Sequence, residues 1–322
     1  METTDSPTVG DDLIRFTIRL ALALYFAAAW RMLNLDHVPG HGQPIDAAIC
    51  LQYPSYVLRH PRKIVWLMHQ HRSAYDLAGT PYSDFSDSPA DKATMDMIRR
   101  VDTQTLGEAQ AIYTISRTVA DRLRRYNGLR ATPLYQPPPR AERYHSGDYG
   151  DYVFVVSRQD PQKRIDLLIK AMPHTHSGIR AVIGGTGPML AANKALAAEM
   201  GVADRVEFLG FVDDERLIDL YANALAVFYA PFDEDYGFVT LEGFLSRKAV
   251  VTARDSGGTL EFVRDGQTGF VFDAADPAGL ARLLDDLMAD KERARRMGEA
   301  GYRRVAGITW DAVVAALTEP IP

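Results

Sequence analysis

From Tyr152 onward, short unbroken apolar runs alternate with stretches of helical periodicity, and this alternation restricts the fold more than any other feature of the chain. Strands are predicted over 152–156, 179–183, 206–209, 224–229, 249–252 and 269–272. An apolar run without polar interruption suits a strand covered on both faces, and strands joined through helices lie parallel. The part before Gln136 repeats the pattern, with strands predicted over 46–52, 64–70, 111–116 and 132–136. Helices are predicted there over 11–33, 91–107 and 117–127, and later over 277–288, 292–305 and 309–317. The expected class is α/β, with two doubly wound parallel sheets.

The run Gln136-Pro137-Pro138-Pro139 separates the two patterns, because consecutive prolines cannot continue a strand or helix interior. Residues 1–140 form the first expected domain, 141–150 a connection, 151–305 the second domain, and 306–322 a closing helix and tail. A length of 322 residues, 47% apolar and 24% charged, supplies two cores and excludes disordered and fibrous classes. The single cysteine, Cys50, can form neither an intrachain disulfide nor a thiolate metal site, which points to a reducing, cytoplasmic compartment.

The net charge of −6 gives no reason to expect nucleic acid as a partner. It is unevenly spread: through His145 there are 17 Lys and Arg against 15 Asp and Glu, and beyond it 19 against 27. The uncharged run Leu20 to Trp30 rises only ~16 Å as a helix, about half a hydrocarbon core, so it does not span a membrane. Arg15, Arg19 and Arg31 flank it, which fits either a core-packed helix or an interfacial one. The stretch from Arg117 to Arg130, with five arginines and one acid, reads as a solvated face or as a docking surface for anionic lipid or a charged acceptor.

In open parallel sheets, ligands bind where the carboxyl ends of strands meet helix N-termini, so the loops after the strands hold the candidate chemistry. After Val156 comes Ser157-Arg158-Gln159-Asp160-Pro161-Gln162-Lys163-Arg164, where Arg158 and Lys163 are either a diphosphate clamp or parts of a solvated turn. After Ile183 comes Gly184-Gly185-Thr186-Gly187-Pro188. Its glycines permit close backbone approach to an anion, and Pro188 suits a first helical position. It lacks both the phosphate-loop lysine and the spaced dinucleotide fingerprint.

The third loop, from Pro231 through Glu234, Gly237, Phe238 and Val239 to Glu242, sets two carboxylates eight residues apart, the second on a helix beginning near Phe238. A loop carboxylate can accept sugar hydroxyls and a helical one the two hydroxyls of a ribose. A fourth loop, Arg254 to Glu261, places Gly257 and Gly258 at a helix start.

Together these stretches resemble the donor-binding domain of retaining GT-B glycosyltransferases, specifically glycosyltransferase family 4, over about residues 153–305. The resemblance rests on SRQDPQKRIDLLIKA, GGTGP, VEFLGFVDDERLIDLYANA, EDYGFVTLEGF and DSGGTLEFVRDGQTGFVF, in that order. It implies two Rossmann-like domains facing a cleft and a retaining, metal-independent transferase. The expected partners are a nucleotide-diphospho-sugar, used as a donor substrate with no cofactor, and a glycan, lipid-linked or small-molecule acceptor. Peripheral contact with the inner face of a membrane is compatible with it.

By the same resemblance Arg158 and Lys163 would hold the diphosphate, Glu242 the ribose and Glu234 the sugar hydroxyls. Gly185, Gly187, Val212, Gly237, Phe238 and Val239 would line the donor site, with the base near Val212. Trp66-Leu67-Met68-His69-Gln70-His71-Arg72 resembles the family's strand-end histidine, which makes His69 the catalytic candidate of the first domain. Family members open with a strand, a glycine-rich turn and a helix. This chain has no glycine between Gly10 and Gly40 and no apolar strand before Leu13, so a shortened first domain is expected. A homologue that binds nucleotide-sugars without turnover is the alternative reading.

Overall fold

The computed structural model describes residues 28–33, 35 and 42–319. The chain divides into two compact units, one drawing on residues up to Tyr135 and from Asp311 on, the other comprising Gln136–Trp310. The expected connection 141–150 is part of the second unit. Most of the helix expected over 11–33 lies outside the described residues, of which 28–31 are helical.

In the first unit, β1 (Ala48–Cys50), β2 (Lys63–Leu67), β3 (Ala111–Thr114) and β4 (Thr132–Pro133) pair in parallel in chain order. Helix α1 (Pro89–Leu106) starts at Ser88, whose side chain accepts from the Asp91 amide, and has proline in its first turn. Helix α2 (Arg117–Asn127) is capped by Ser116 and stopped by the left-handed Gly128. Val119 and Leu123 on one stripe of α2 are buried, as an amphipathic helix on a sheet requires. Strands β1, β2, β3 and β4 are each shorter than the apolar runs that announced them, because hydrogen-bonded pairing ends before the runs do.

In the second unit the strand order is β10-β9-β8-β5-β6-β7, all parallel. The strands are β5 (Tyr152–Val156), β6 (Arg180–Gly184), β7 (Val206–Gly210), β8 (Ala226–Phe228), β9 (Ala249–Ala253) and β10 (Gly269–Phe272). The helices are α3 (Ile165–Ala171), α4 (Leu190–Glu199), α5 (Asp214–Asn223), α6 (Phe238–Leu245), α7 (Pro277–Ala289) and α8 (Lys291–Val305), and α9 (Trp310–Thr318) follows. The chain begins at the central strand β5, winds outward through β6 and β7, and returns to β8 on the other side. That reversal between β5 and β8 is the topological switch point, where the carboxyl ends of neighbouring strands lead to opposite sides of the sheet and leave a crevice.

The core is built from continuous apolar strands, with Val153, Val155, Ile183, Phe228 and Val251 packed against Leu168 of α3, Leu284 of α7 and Met297 of α8. The strand expected over 224–229 is shorter, Ala226–Phe228, and two loops also differ from expectation. Pro188 is not the first helical residue: α4 starts at Leu190, and Pro188 lies in the turn before it. The glycines after β9 open only a single 3-10 turn, Gly258–Glu261, because the chain must enter β10 within a few residues.

Candidate functional site

The loops after β5 and β6 are fastened to each other through Gln159, a fully buried glutamine that the sequence reading passed over. Its amide donates to the Thr186 carbonyl at 2.8 Å, and its side chain donates to the Gly185 carbonyl at 2.9 Å and accepts from Asn193 at 3.0 Å. Gly185 has φ +101°, and a Cβ there would overlap the Ser157 carbonyl. Its amide donates to the Gly210 carbonyl at 2.6 Å. The amide of Gly185 is therefore committed inside the protein, and the residue serves close loop packing rather than direct anion contact. Gly187 also packs on the Gln159 backbone, whose nitrogen would lie 2.7 Å from an added Cβ. Val212 lies against Gly184 at the end of β6, and Phe211 beside it is 83% exposed.

Lys163 and Glu234 meet across the switch point. The Lys163 ammonium forms an ion pair with the Glu234 carboxylate and lies 3.2 Å from the Tyr229 hydroxyl, which donates to Glu234 Oε2 at 2.7 Å. Burial and the Glu234 charge raise the Tyr229 phenol well above its ordinary range, so it stays a donor. Arg164 locks the surrounding loops: its Nε and Nη2 donate to the Ala230 and Pro231 carbonyls at 2.9 Å each, and its fork grips Asp255. Phe232 and Gln162 exchange hydrogen bonds, and Gly258 donates to the Glu234 carbonyl at 2.7 Å. Loops after β5, β8 and β9 thus form one assembly around the Lys163 and Glu234 pair.

Gly237, at φ +82°, precedes α6; a Cβ there would lie 2.9 Å from the Tyr229 ring and 3.1 Å from Thr259 Oγ1. Phe238 and Val239 are the first residues of α6, and both are half-buried. Glu242, one turn on, accepts from Tyr221 at 2.6 Å. Burial raises its pKa, while the Tyr221 and Tyr144 phenols and the Arg140 charge oppose that rise.

Arg158 is not drawn to the ion pair. Its side chain is 75% exposed, with Asp160 3.4 Å away, so of the two cations expected at the diphosphate only Lys163 is held beside Glu234. His69 belongs to the first unit, exposed two residues past the end of β2, its Nδ1 2.8 Å from the Gln70 carbonyl. His71 packs edge-on against Phe85, and Arg72 pairs with Asp76.

The residues missed by sequence reading were Gln159, Arg164, Tyr229 and Tyr221. A phenol at a strand's end carries a signal, since a buried tyrosine needs a partner for its hydroxyl. Gln159 carried none: one amide in a polar loop does not announce that it will be buried.

Residues 143–304 match the family of glycosyl transferases group 1. Among curated relatives, the D-inositol 3-phosphate glycosyltransferase of Nocardia farcinica is 31% identical over 67% of this chain and 54% of its own length. The GDP-mannose-dependent alpha-(1-6)-phosphatidylinositol monomannoside mannosyltransferase of Mycolicibacterium smegmatis is 36% identical over 53% of this chain and 48% of its own. The chain spans about half the length of these relatives.

Among solved structures, sucrose-phosphate synthase from Thermosynechococcus elongatus superposes with a TM-score of 0.71 at 19% identity, over 99% of this chain and 80% of that one. Anabaena HepE in complex with UDP and glucose gives 0.66 at 18%, over 80% and 71%. At such identities the likeness speaks for the fold, which is GT-B, with two Rossmann-like parallel-sheet domains. With the match to residues 143–304 added, the chain belongs to the glycosyl transferases group 1 family.

Proposed function

We propose that this chain is a retaining, metal-independent glycosyltransferase of family 4 that moves a sugar from a nucleotide-diphospho-sugar to a hydroxyl of a glycan, lipid or small-molecule acceptor. The observation that carries the reading is the pairing of Lys163 with Glu234 at the switch point, with Glu242 eight residues further on the helix that begins there. A diphosphate arriving at Lys163 competes with Glu234 for the ammonium and releases that carboxylate to accept hydroxyls of the transferred sugar. As the bond from the anomeric carbon to the diphosphate oxygen breaks, its electron pair leaves on the diphosphate. Lys163, joined by the exposed Arg158, offsets that charge in place of a metal ion. Glu242 takes the ribose, with the base near Val212, and His69 is the residue of the first unit assigned a catalytic role.

Relatives are named for action on inositol phosphate and on phosphatidylinositol mannoside, so a polyol or lipid-linked acceptor heads the list. No helix among the described residues is long and apolar enough to cross a membrane, so any meeting with a lipid acceptor is proposed as peripheral.

The test is transfer or slow donor hydrolysis with UDP-, GDP- and ADP-sugars, the anomer formed being read by nuclear magnetic resonance. One donor should turn over with its configuration kept, and Lys163→Ala and Glu234→Ala should each abolish that turnover. Binding without turnover of any donor would favour a non-catalytic homologue, and an inverted product would refute retention.

A further inference from the structure

Arg164 stands where local preference disfavours it on several counts. Its backbone is left-handed, at φ +49° and ψ +43°, a conformation that suits glycine and strains a residue with a side chain. It is the N-cap residue of α3, where a serine or aspartate would accept from the orphaned amides and a guanidinium cannot. It also sets a cation at the positive end of that helix. Glycine would meet the backbone requirement at lower cost, so the side chain has to be explained by what it reaches. Its fork reaches two other loops at once. Nε donates to the Ala230 carbonyl and Nη2 to the Pro231 carbonyl, both at 2.9 Å, in the loop after β8. Nη1 and Nη2 donate to the two oxygens of Asp255, at 2.8 and 2.6 Å, in the loop after β9. The side chain is 11% exposed, and its guanidinium lies 5.7 Å from the centre of the Phe232 ring.

We infer that Arg164 is a positioning residue of the donor site, which keeps the loop of Glu234 beside the loop of Lys163 after a donor has parted that ion pair. The inference rests on the reading of Lys163 as the diphosphate ligand and of Glu234 as the sugar ligand. Residues 163 and 164 cross to the same loop, the first through its ion pair with Glu234 and the second through the fork. An arriving diphosphate removes the first tie. The second stays, because all three guanidinium nitrogens are engaged inside the protein, and a fork on two carbonyls and a carboxylate exchanges less readily than one ammonium on one carboxylate. The hydrogen bonds exchanged by Gln162 and Phe232 span the first two loops but leave the loop after β9 unattached. By gripping Asp255, Arg164 joins all three, and the Asp255 carbonyl accepts from the Asp233 amide at 2.8 Å, next to Glu234 in the chain. Asp233 is itself left-handed at φ +44°, so Glu234 rides on a strained turn that persists only under such constraint.

The experiment is hydrogen exchange of residues 230–236 in the full chain, Arg164→Gly and Arg164→Lys, without nucleotide and with saturating UDP, GDP or ADP, each affinity being measured by calorimetry. Glycine accepts the left-handed backbone while removing the fork. Without nucleotide Arg164→Gly should exchange as the parent does, since the Lys163 and Glu234 pair still joins the loops. With the nucleotide that the parent binds, it should exchange about ten-fold faster than the parent, the scale of one hydrogen bond to a charged group, while its affinity for that nucleotide is kept. Arg164→Lys keeps the charge but cannot grip two loops, so it should behave as Arg164→Gly does. Equal exchange of parent and Arg164→Gly in the presence of nucleotide refutes the inference. So does exchange that is already faster without nucleotide and is accompanied by weaker nucleotide binding, the mark of a purely structural role. Full recovery in Arg164→Lys refutes it too, since charge alone would then suffice. If Lys163→Ala, with Arg164 intact, binds nucleotide as the parent does, or if the parent binds none of the three, the diphosphate reading fails and this inference falls with it.

Discussion

Replacing Gly257 with alanine should separate two loops that meet backbone to backbone and displace Glu234 with them. Gly257 has φ +59°, and a Cβ there would lie 2.5 Å from the Glu234 carbonyl oxygen, 2.7 Å from its nitrogen and 2.8 Å from the Asp233 carbonyl carbon. None of these atoms is a flexible side-chain end, so the backbone itself must move. Gly257 also combines φ +59° with ψ −126°, a region that only glycine enters readily, so alanine there adds backbone strain of ~1–3 kcal/mol to overpacking of ~1–3 kcal/mol. Gly178→Ala is the control, a positive φ of +73° with nothing within 4 Å of an added Cβ. Gly257→Ala should therefore melt below Gly178→Ala by at least the collision, ~1–3 kcal/mol, or about 2–12 °C for a unit of this size. Thermal denaturation of the two variants measures it. Nucleotide-induced stabilisation should fall in Gly257→Ala and persist in Gly178→Ala. Equal melting temperatures would refute the claim that these loops touch where Glu234 is held.

Two further outcomes follow from the first unit. Asp102 is buried and accepts from Tyr56 and Tyr75 at 2.8 Å each, yet burial lifts its pKa to about 6 from an ordinary 3.8. A raised carboxyl pKa contributes stability that is complete below the unfolded value and lost as pH rises through the folded one. The parent chain should therefore lose ~3 kcal/mol relative to Asp102→Asn between about pH 4 and 7, measured by denaturant titration; parallel pH profiles would contradict this. On α2 and the turn after it, Arg117, Arg124, Arg125 and Arg130 are exposed with Asp121 among them, whereas Arg122 is buried 3.6 Å from Asp76. At ~1 kcal/mol per basic residue near an anionic surface, co-sedimentation with anionic vesicles should be weak at low salt and absent at a few tenths molar. Binding that salt leaves undiminished would exclude an electrostatic contact.

The architecture of the second unit was legible because buried parallel strands must be apolar throughout, and Tyr152–Val156 and Gly269–Phe272 were read to the residue. Helix α2 was equally plain over 117–127, and the structure shows what ends it: Ser116, expected as the last residue of a strand, caps it and Gly128 stops it. Boundaries slipped where apolar runs outlast hydrogen-bonded pairing, as at β1 and β4, and where Pro188 has the chemistry of a helix start but sits in the preceding turn. Glu234 and Glu242 stood out through their spacing, while their phenol partners come from Tyr229 and Tyr221, which periodicity explains as core residues. Contacts across 71 residues, such as Lys163 with Glu234, become visible only once the strand order brings β5 beside β8. Arg158 shows the converse: a charge in the right loop does not fix where its side chain rests.

The central claim is that Lys163, Glu234 and Glu242 form one site for an activated sugar. It is tested most directly by calorimetric titration of the full chain with UDP-, GDP- and ADP-sugars. One saturable event is expected, with loss in Lys163→Ala and Glu242→Gln and retention in the surface control Lys194→Ala. Binding that survives both site substitutions, or no binding by any of the three donor classes, would contradict it.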